Sequence, residues 1–389
     1  MSALSPSAAG AAADVVIVGG GIMGSSAAFF LRQRGRSVIL LESGLIGQQA
    51  SGTNFGNVRR QGRPLAQLAL ANRASAVWRK SRELLGEDVE YLQAGHMRVC
   101  LRDRPEIAAA FEKYAADAKP LGLDLDLLSG NELRSRFPFL GPEVLVGSLS
   151  AMDGHANPRL AAPAFARAAW RAGAAVHENC AVAHIEKVGV DFRLLSEGGA
   201  EFRAPVVLLT AGAWSPAFSR LFGVETPFAT IGPTMSVTEP VPYAIHPSIG
   251  MVSPLEEESI YFRQIPRGNV IIGGSFRGAA FTDQRRAQVQ PRNTLSQLRQ
   301  IRRLVPALAR LNIIRVWSGV EGYLPDYLPV MGASPAVSGL FFAYGFSGAG
   351  FQLGPGVGET MAELIATGST PIDLSQYRPD RFTAPAPPA

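Results

Sequence analysis

Apolar positions gather into short runs whose spacing changes along the chain. Asp14 is followed by Val15-Val16-Ile17-Val18 and then by glycines, residues 25–34 carry apolar side chains at helical spacing, and Val38-Ile39-Leu40-Leu41 is apolar again. Runs this short and unbroken mark strands buried on both faces. The order strand, turn, helix, strand predicts a βαβ unit with parallel strands. Segments 205–210 and 340–344 predict further buried strands, each followed by a glycine-rich turn, with a helix over 358–367. The first sheet is thus expected to be completed by distant pieces of chain. Segments 85–150 and 222–317 alternate more and carry more charge, which predicts a second domain. Within it, Tyr261 and Arg263 lead through Gly268 into 270–273 as an antiparallel hairpin. Residues 294–311 predict an amphipathic helix presenting Leu295, Leu298, Ile301, Leu304 and Val305 on one face.

Composition narrows the function. A chain of 389 residues with 47% apolar side chains can bury a two-domain core. The net charge of +5 comes almost wholly from arginine, with lysines only at 80, 113, 119 and 187, and no basic stripe marks nucleic-acid binding. Two cysteines, Cys100 and Cys180, cannot build a disulfide framework, and five scattered histidines show no ligand spacing, so no metal site is expected. Residues 1–13 lack a secretory pattern and no apolar run reaches the ~20 residues of a membrane span. A cytoplasmic protein is expected, with attachment to the inner membrane through a partner left open.

Gly19-Gly20-Gly21-Ile22-Met23-Gly24 satisfies GxGxxG directly after a strand and at the start of a helix. Gly19 allows the tight turn, Gly21 lets the backbone approach a pyrophosphate, and Gly24 lets helix and strand pack closely. Ile22 and Met23 begin a helix whose free N–H groups face the phosphates. Glu42 ends the second strand, where a carboxylate would accept from ribose hydroxyls and repel a 2′-phosphate. FAD or NAD is favoured over NADP.

Three further segments carry a resemblance. They are Gly47-Gln-Gln-Ala-Ser51-Gly-Thr53-Asn-Phe-Gly-Asn-Val-Arg59, then Thr210-Ala211-Gly212-Ala-Trp214, then Gly345-Phe-Ser-Gly348-Ala-Gly350-Phe351-Gln352-Leu-Gly-Pro355. From about 14 to 382 the chain resembles the FAD-dependent D-amino acid oxidase and sarcosine oxidase superfamily, especially its glycine oxidase, D-amino acid dehydrogenase and opine oxidase or hydroxyproline dehydrogenase β-subunit groups. The resemblance implies an α/β (α+β) fold. A Rossmann-like FAD-binding domain would comprise 14–84, 151–221 and 318–382. A discontinuous substrate-binding domain built on an antiparallel sheet would comprise 85–150 and 222–317, with flexible ends at 1–13 and 383–389.

The resemblance also implies the cofactor contacts. Ser43, Ser51 and Thr53 would touch FAD. Val182 would lie against the adenine, or be plain core. Ala211, Gly212 and Trp214 would approach the cofactor, and Gly345, Gly348, Gly350, Phe351 and Gln352 would form the flavin loop. Binding would be noncovalent, since the region 319–326 lacks the cysteine that links flavin in monomeric sarcosine oxidases. His155 aligns only loosely with the histidine that carries FMN in heterotetrameric sarcosine oxidases, and is expected to pack or cap a helix.

The activity implied is oxidation of the C–N bond of an amino acid or secondary amine, of D-amino acid, hydroxyproline or opine type, by hydride transfer to flavin N5. Electrons would pass to a partner subunit or quinone. An oxygen-using oxidase that makes hydrogen peroxide and a non-catalytic flavin subunit remain alternatives. Arg59, with Arg60 and Arg63 beside it, is expected to hold a substrate carboxylate or to be a surface or subunit-interface charge. Tyr261 resembles the tyrosine that faces substrate in glycine oxidase, with a solvent-facing Tyr261 and Arg263 pair as the alternative. Where the glycine oxidase group carries two carboxylate-binding arginines, this chain has Glu321 and Gly348, which puts glycine as substrate in doubt and suggests either an amine or basic side chain facing Glu321 or a hydrogen-bonding role for Glu321 within the site.

Overall fold

The computed structural model describes residues 11–382. Its centre is a six-stranded sheet in the order Val330–Ala333, Leu340–Tyr344, Val206–Leu209, Val15–Val18, Val38–Leu41, Ala175–His177. All pairs are parallel except the edge pair of Val330–Ala333 with Leu340–Tyr344. Alternation along each strand sends side chains to opposite faces. Val15, Ile17, Val38 and Leu40 enter a core made with the helices, whereas Val16, Val18, Ile39 and Leu41 meet Phe192, Leu194 and Phe202 of a second sheet. This second sheet runs Ala11–Ala12, Glu201–Ala204, Asp191–Ser196, Val182–Val188. Burial on both faces is why the strand runs carry no polar alternation.

The helical layer is drawn tight by glycines. Ile22–Gln33 packs against Pro158–Arg171 and Gly350–Thr367, and the last also packs on Leu68–Arg79. A Cβ at Gly358 would lie 2.1 Å from Ser26 Oγ and 2.6 Å from the Ala27 nitrogen, so only glycine lets the two helices approach this closely. Arg73 then ties the helices together, with Nε 2.7 Å from Glu359 and Nη1 2.7 Å from Glu363.

A large mixed sheet stands over the C-terminal ends of the central strands. Its backbone is the order Arg286–Ala287, Arg277–Phe281, Ala229–Pro240, Asn269–Gly274, Ile260–Gln264, Ser248–Met251, His96–Leu101, Val144–Ser150, Asp126–Ser129, and Ile313–Ser318 and Glu321–Tyr323 also pair with Ala229–Pro240. It is antiparallel except where Ser248–Met251 runs parallel to His96–Leu101. The hairpin expected through Tyr261 and 270–273 is present, with Tyr261 opposite Gly273. Pairing of Glu321–Tyr323 with Ala229, Thr230 and Ile231 carries this sheet past the boundary expected at 317.

Other boundaries differ for physical reasons. The expected flexible end 1–13 includes Ala11–Ala12, which forms a strand beside Phe202 and Arg203; residues 1–10 and the expected end 383–389 lie outside the described residues. The last helix begins at Gly350 rather than 358, because close packing on two other helices outweighs the poor helix propensity of its glycines and Pro355. The helix expected over 294–311 runs Pro291–Leu304. Leu295 is 70% exposed, and the buried face is Asn293, Gln297, Gln300, Ile301 and Leu304. Gln297 is satisfied there: its Oε1 accepts from Ser236 Oγ at 2.7 Å and its Nε2 donates to the Thr234 carbonyl at 3.1 Å. Among the described residues, no helix is long and apolar enough to cross a membrane.

Candidate active site

The C-terminal ends of the central strands open into a cavity of about 670 Å³ that continues under the large sheet. At its first end the glycine motif behaves as its spacing requires. Gly19 has φ +108°, and a Cβ there would lie 2.6 Å from the Thr210 carbonyl oxygen; a Cβ at Gly24 would lie 2.0 Å from the Gly19 carbonyl oxygen. The Glu42 carboxylate is fixed at the strand end by two backbone donors, the N–H of Gly20 at 2.8 Å and that of Gly44 at 2.8 Å. Ser51 Oγ accepts from the Ile22 N–H at 2.9 Å and so borders the helix N-terminus, where first-turn N–H groups lack intrahelical acceptors. A loop of the large sheet crosses this end. Trp214 Nε1 donates to the Thr282 carbonyl at 3.1 Å, and Arg285 donates to the Ser43 carbonyl at 3.3 Å.

Most residues singled out from the sequence line this one cavity. Gly19, Gly21, Ile22, Met23, Glu42, Ser43, Ser51, Val182, Ala211, Gly212, Trp214, Gly345, Gly348, Gly350, Phe351 and Gln352 all do, as do Arg59, Tyr261 and Glu321. Gly24 stands behind the wall in its packing role. Thr53 is not in the wall: its hydroxyl bonds back to the Gln49 carbonyl at 3.2 Å, and its carbonyl accepts from Trp317 Nε1 at 2.7 Å. The tight approach of Gly319, where a Cβ would meet Thr53 Oγ1 at 1.9 Å, turns it away. His155 packs as expected, buried in a short strand with Nδ1 3.2 Å from Arg263.

The far end of the cavity is rich in charge. Tyr261 stacks edge-on against Phe55, with ring centroids 4.7 Å apart. Burial raises its hydroxyl pKa, and the nearby Glu321 charge raises it further, so Tyr261 stays protonated. Glu321 accepts from the Tyr323 hydroxyl at 3.0 Å, and burial raises its own pKa against the pull of Tyr323 and Arg277. Arg277 lies over the Tyr323 ring at 5.0 Å. A Cβ at Gly348 would meet the Tyr323 hydroxyl at 3.1 Å and Glu321 Oε2 at 3.9 Å. The two positions where the resembling enzymes carry arginine are therefore neighbours, and Tyr323 fills the space between them.

On the same cavity wall stand Arg59, Arg63, Arg98 and His96. Burial lowers the pKa of Arg59, brings Arg63 down to about 9 with help from the Arg59 charge, and brings Arg98 down to about 10. Burial and the three arginines hold His96 well below the usual imidazole range, so it is neutral, with Nδ1 2.9 Å from Ser248 Oγ. Arg60, expected alongside Arg59, instead pairs with buried Asp153 at 3.1 Å. Arg263, on the strand face of Tyr261, is taken up by the Phe55 carbonyl at 2.9 Å.

Sequence reasoning missed Tyr323, Arg277, His96 and Arg98. The signal for the last two was present: His96 and Arg98 alternate with Met97, Val99 and Leu101, which is one polar face on a strand that buries the other. Which sheet that strand joins was not local information.

The residues present fit a flavin dinucleotide. The cavity is continuous from Glu42 and Val182, past the helix N-terminus, to the glycine loop 345–352, and Gln352 Oε1 at that loop is buried without a hydrogen-bond partner among the described residues. Cys180, also in the wall, has its thiol pKa raised by burial, which disfavours the reactive thiolate. The family described as FAD dependent oxidoreductase (DAO) matches residues 14–364. The mitochondrial sarcosine dehydrogenase of Homo sapiens is 27% identical over 327 residues, covering 80% of this chain; this chain spans only 35% of that protein's length. The B subunit of the opine oxidase of Rhizobium meliloti is 30% identical over 366 residues, covering 91% of this chain and 93% of that one. Among solved structures, L-proline dehydrogenase from P.horikoshii superposes with a TM-score of 0.87 at 26% identity, covering 96% of this chain and 98% of that one.

Proposed function

The chain belongs to the FAD-dependent oxidoreductase (DAO) family, and from that premise we propose that it oxidises the C–N bond of an amino acid or secondary amine of D-amino acid, hydroxyproline or opine type. The observation that carries this reading is that Arg59, Tyr261 and Glu321 share one cavity with the dinucleotide cradle. FAD would be held noncovalently by 19–24, Glu42, Ser43, Ser51, Val182, 211–214 and 345–352, and would supply the hydride-accepting chemistry.

The protein's own groups prepare the substrate. The Arg59 guanidinium is the partner for a carboxylate. Tyr261, kept protonated, donates to the substrate, and the Glu321 carboxylate, oriented by Tyr323, accepts the ammonium proton so that the amine is neutral when it reacts. A raised pKa makes Glu321 a stronger base than an ordinary carboxylate.

Sarcosine-type oxidases, which this chain resembles, typically carry a lysine near the flavin ring, whereas among the described residues no lysine lines this cavity, which supports delivery of electrons to a partner subunit or quinone rather than to oxygen. The likeness to a subunit of an opine oxidase supports a hetero-oligomer. Steady-state assays with candidate amines, using a redox dye in one series and oxygen alone in the other, test both points. Turnover with dye and little peroxide is expected. Rapid peroxide formation would overturn the acceptor assignment.

A further inference from the structure

A single amino acid carboxylate needs one bidentate guanidinium; this cavity offers three. Arg59, Arg63 and Arg98 all line it, and none makes an ion pair among the described residues. Arg63 is only 8% exposed, its Nε has no hydrogen-bond partner among them, and the one bond of its side chain is a long 3.4 Å contact to the Ala349 carbonyl. The Arg98 side chain makes no hydrogen bond among the described residues, and its guanidinium lies 5.6 Å over the Phe111 ring. Arg59 donates only to the Gln61 carbonyl. Asp153, the carboxylate whose charge reaches Arg59 and Arg63, is itself bound by the Arg60 side chain at 3.1 Å and by the N–H groups of Arg60 at 2.9 Å and Gln61 at 3.1 Å. His96 beside them is bound to Ser248 and adds no negative charge.

Arg63 is buried and Arg59 and Arg98 are half-buried, and cations so placed without partners cost free energy that a fold tolerates where a ligand supplies the counter-charge. We infer that Arg59, Arg63 and Arg98 form a subsite for two carboxylates, so that the substrate is an amine bearing two acid groups. An N-carboxyalkyl amino acid, with its amine directed at Glu321 and Tyr261, has this chemistry. The inference rests on the amine-oxidising reading for its amine, but the anion subsite stands on the arginines alone.

The test is a binding measurement on the flavin-loaded protein, by titration calorimetry with glutarate, butyrate and inorganic phosphate. Glutarate is expected to bind at least ~10-fold more tightly than butyrate, since the second charge-assisted pair contributes well over 1 kcal/mol. Arg98→Gln is expected to bring glutarate to the level of butyrate with flavin content unchanged, and Arg98→Lys to keep part of the preference. Equal affinities, a preference that survives Arg98→Gln, or phosphate binding as tightly as glutarate would each overturn the dicarboxylate subsite. If glutarate is preferred but no amine reduces the flavin, the subsite stands and the amine reading fails; if amines with one carboxylate are the best reductants and glutarate shows no preference, the amine reading stands and the subsite fails.

Discussion

The Tyr323 hydroxyl donates to Glu321 Oε2 at 3.0 Å, and both side chains crowd against Gly348 at the flavin-loop end of the cavity. Glu321 thus stands at one of the two positions where the resembling enzymes carry arginine, Tyr323 fills the space beside the other, Gly348, and Arg277 lies over the Tyr323 ring, while Arg59, Arg63 and Arg98 line the same cavity.

Glu321→Gln is expected to lower kcat about tenfold or more by removing the proton acceptor. Because burial raises the Glu321 pKa, the carboxylate is lost as pH falls through a value above the ordinary carboxylate range. The acid limb of the kcat/KM profile should sit correspondingly high in the wild-type protein and vanish in the variant. An unchanged limb would assign it to another group.

Glu42→Ala should weaken FAD binding by roughly ten- to a hundredfold, the worth of hydrogen bonds to a charged acceptor. The variant also leaves the Gly20 and Gly44 N–H groups without their acceptor, so Glu42→Gln is the companion. Fluorescence titration of the apoprotein with FAD measures both. Full flavin occupancy in both variants would remove Glu42 from the cofactor contacts.

The arginine cluster predicts a loss of substrate binding when its charge is removed. Arg63 lines the cavity with its Nε unpartnered among the described residues. Arg63→Gln should raise KM for a carboxylate-bearing amine by roughly tenfold or more, the worth of a hydrogen bond to a charged group, with kcat much less affected. An unchanged KM would mean that Arg63 does not grip the substrate.

Gly358→Ala should destabilise the FAD-binding domain by about 1–3 kcal/mol, the usual cost of overpacking. The new Cβ would lie 2.6 Å from the Ala27 backbone nitrogen, and backbone cannot step aside as a flexible side chain would. Urea unfolding monitored by circular dichroism gives the difference. A stability equal to wild type would show that the helices can separate freely at this contact.

The cofactor half of this protein could be read from its sequence because its determinants are local. Gly19, Gly21, Gly24 and Glu42 belong to one βαβ unit, and their spacing alone dictates a turn, a helix start and a strand end. The flavin loop 345–352 was legible by resemblance, but the helix after it was placed too late because the packing that permits glycines at 354, 356 and 358 comes from residues more than 280 positions away in Ile22–Gln33 and Leu68–Arg79. Thr53 does not line the cavity for a similar reason: its carbonyl is held by Trp317, on a strand of the other sheet, and its hydroxyl lies against Gly319 just after that strand. The substrate half was read only in part. Arg98 enters the cavity because His96–Leu101 pairs with Ser248–Met251, a parallel pairing that no periodicity reveals. Helical spacing puts Leu295 on a buried face, whereas the sheet beneath offers polar partners to Gln297 instead and leaves Leu295 exposed.

The most direct test of the central claim is the absorption spectrum of the purified flavin-loaded protein mixed anaerobically with D-amino acids, hydroxyprolines, N-methylated amino acids and N-carboxyalkyl amino acids. Bleaching of the flavin band near ~450 nm by at least one of these amines is the predicted result. A bound flavin that none of them bleaches, with or without candidate partner subunits, would contradict the assignment of this cavity to amine oxidation.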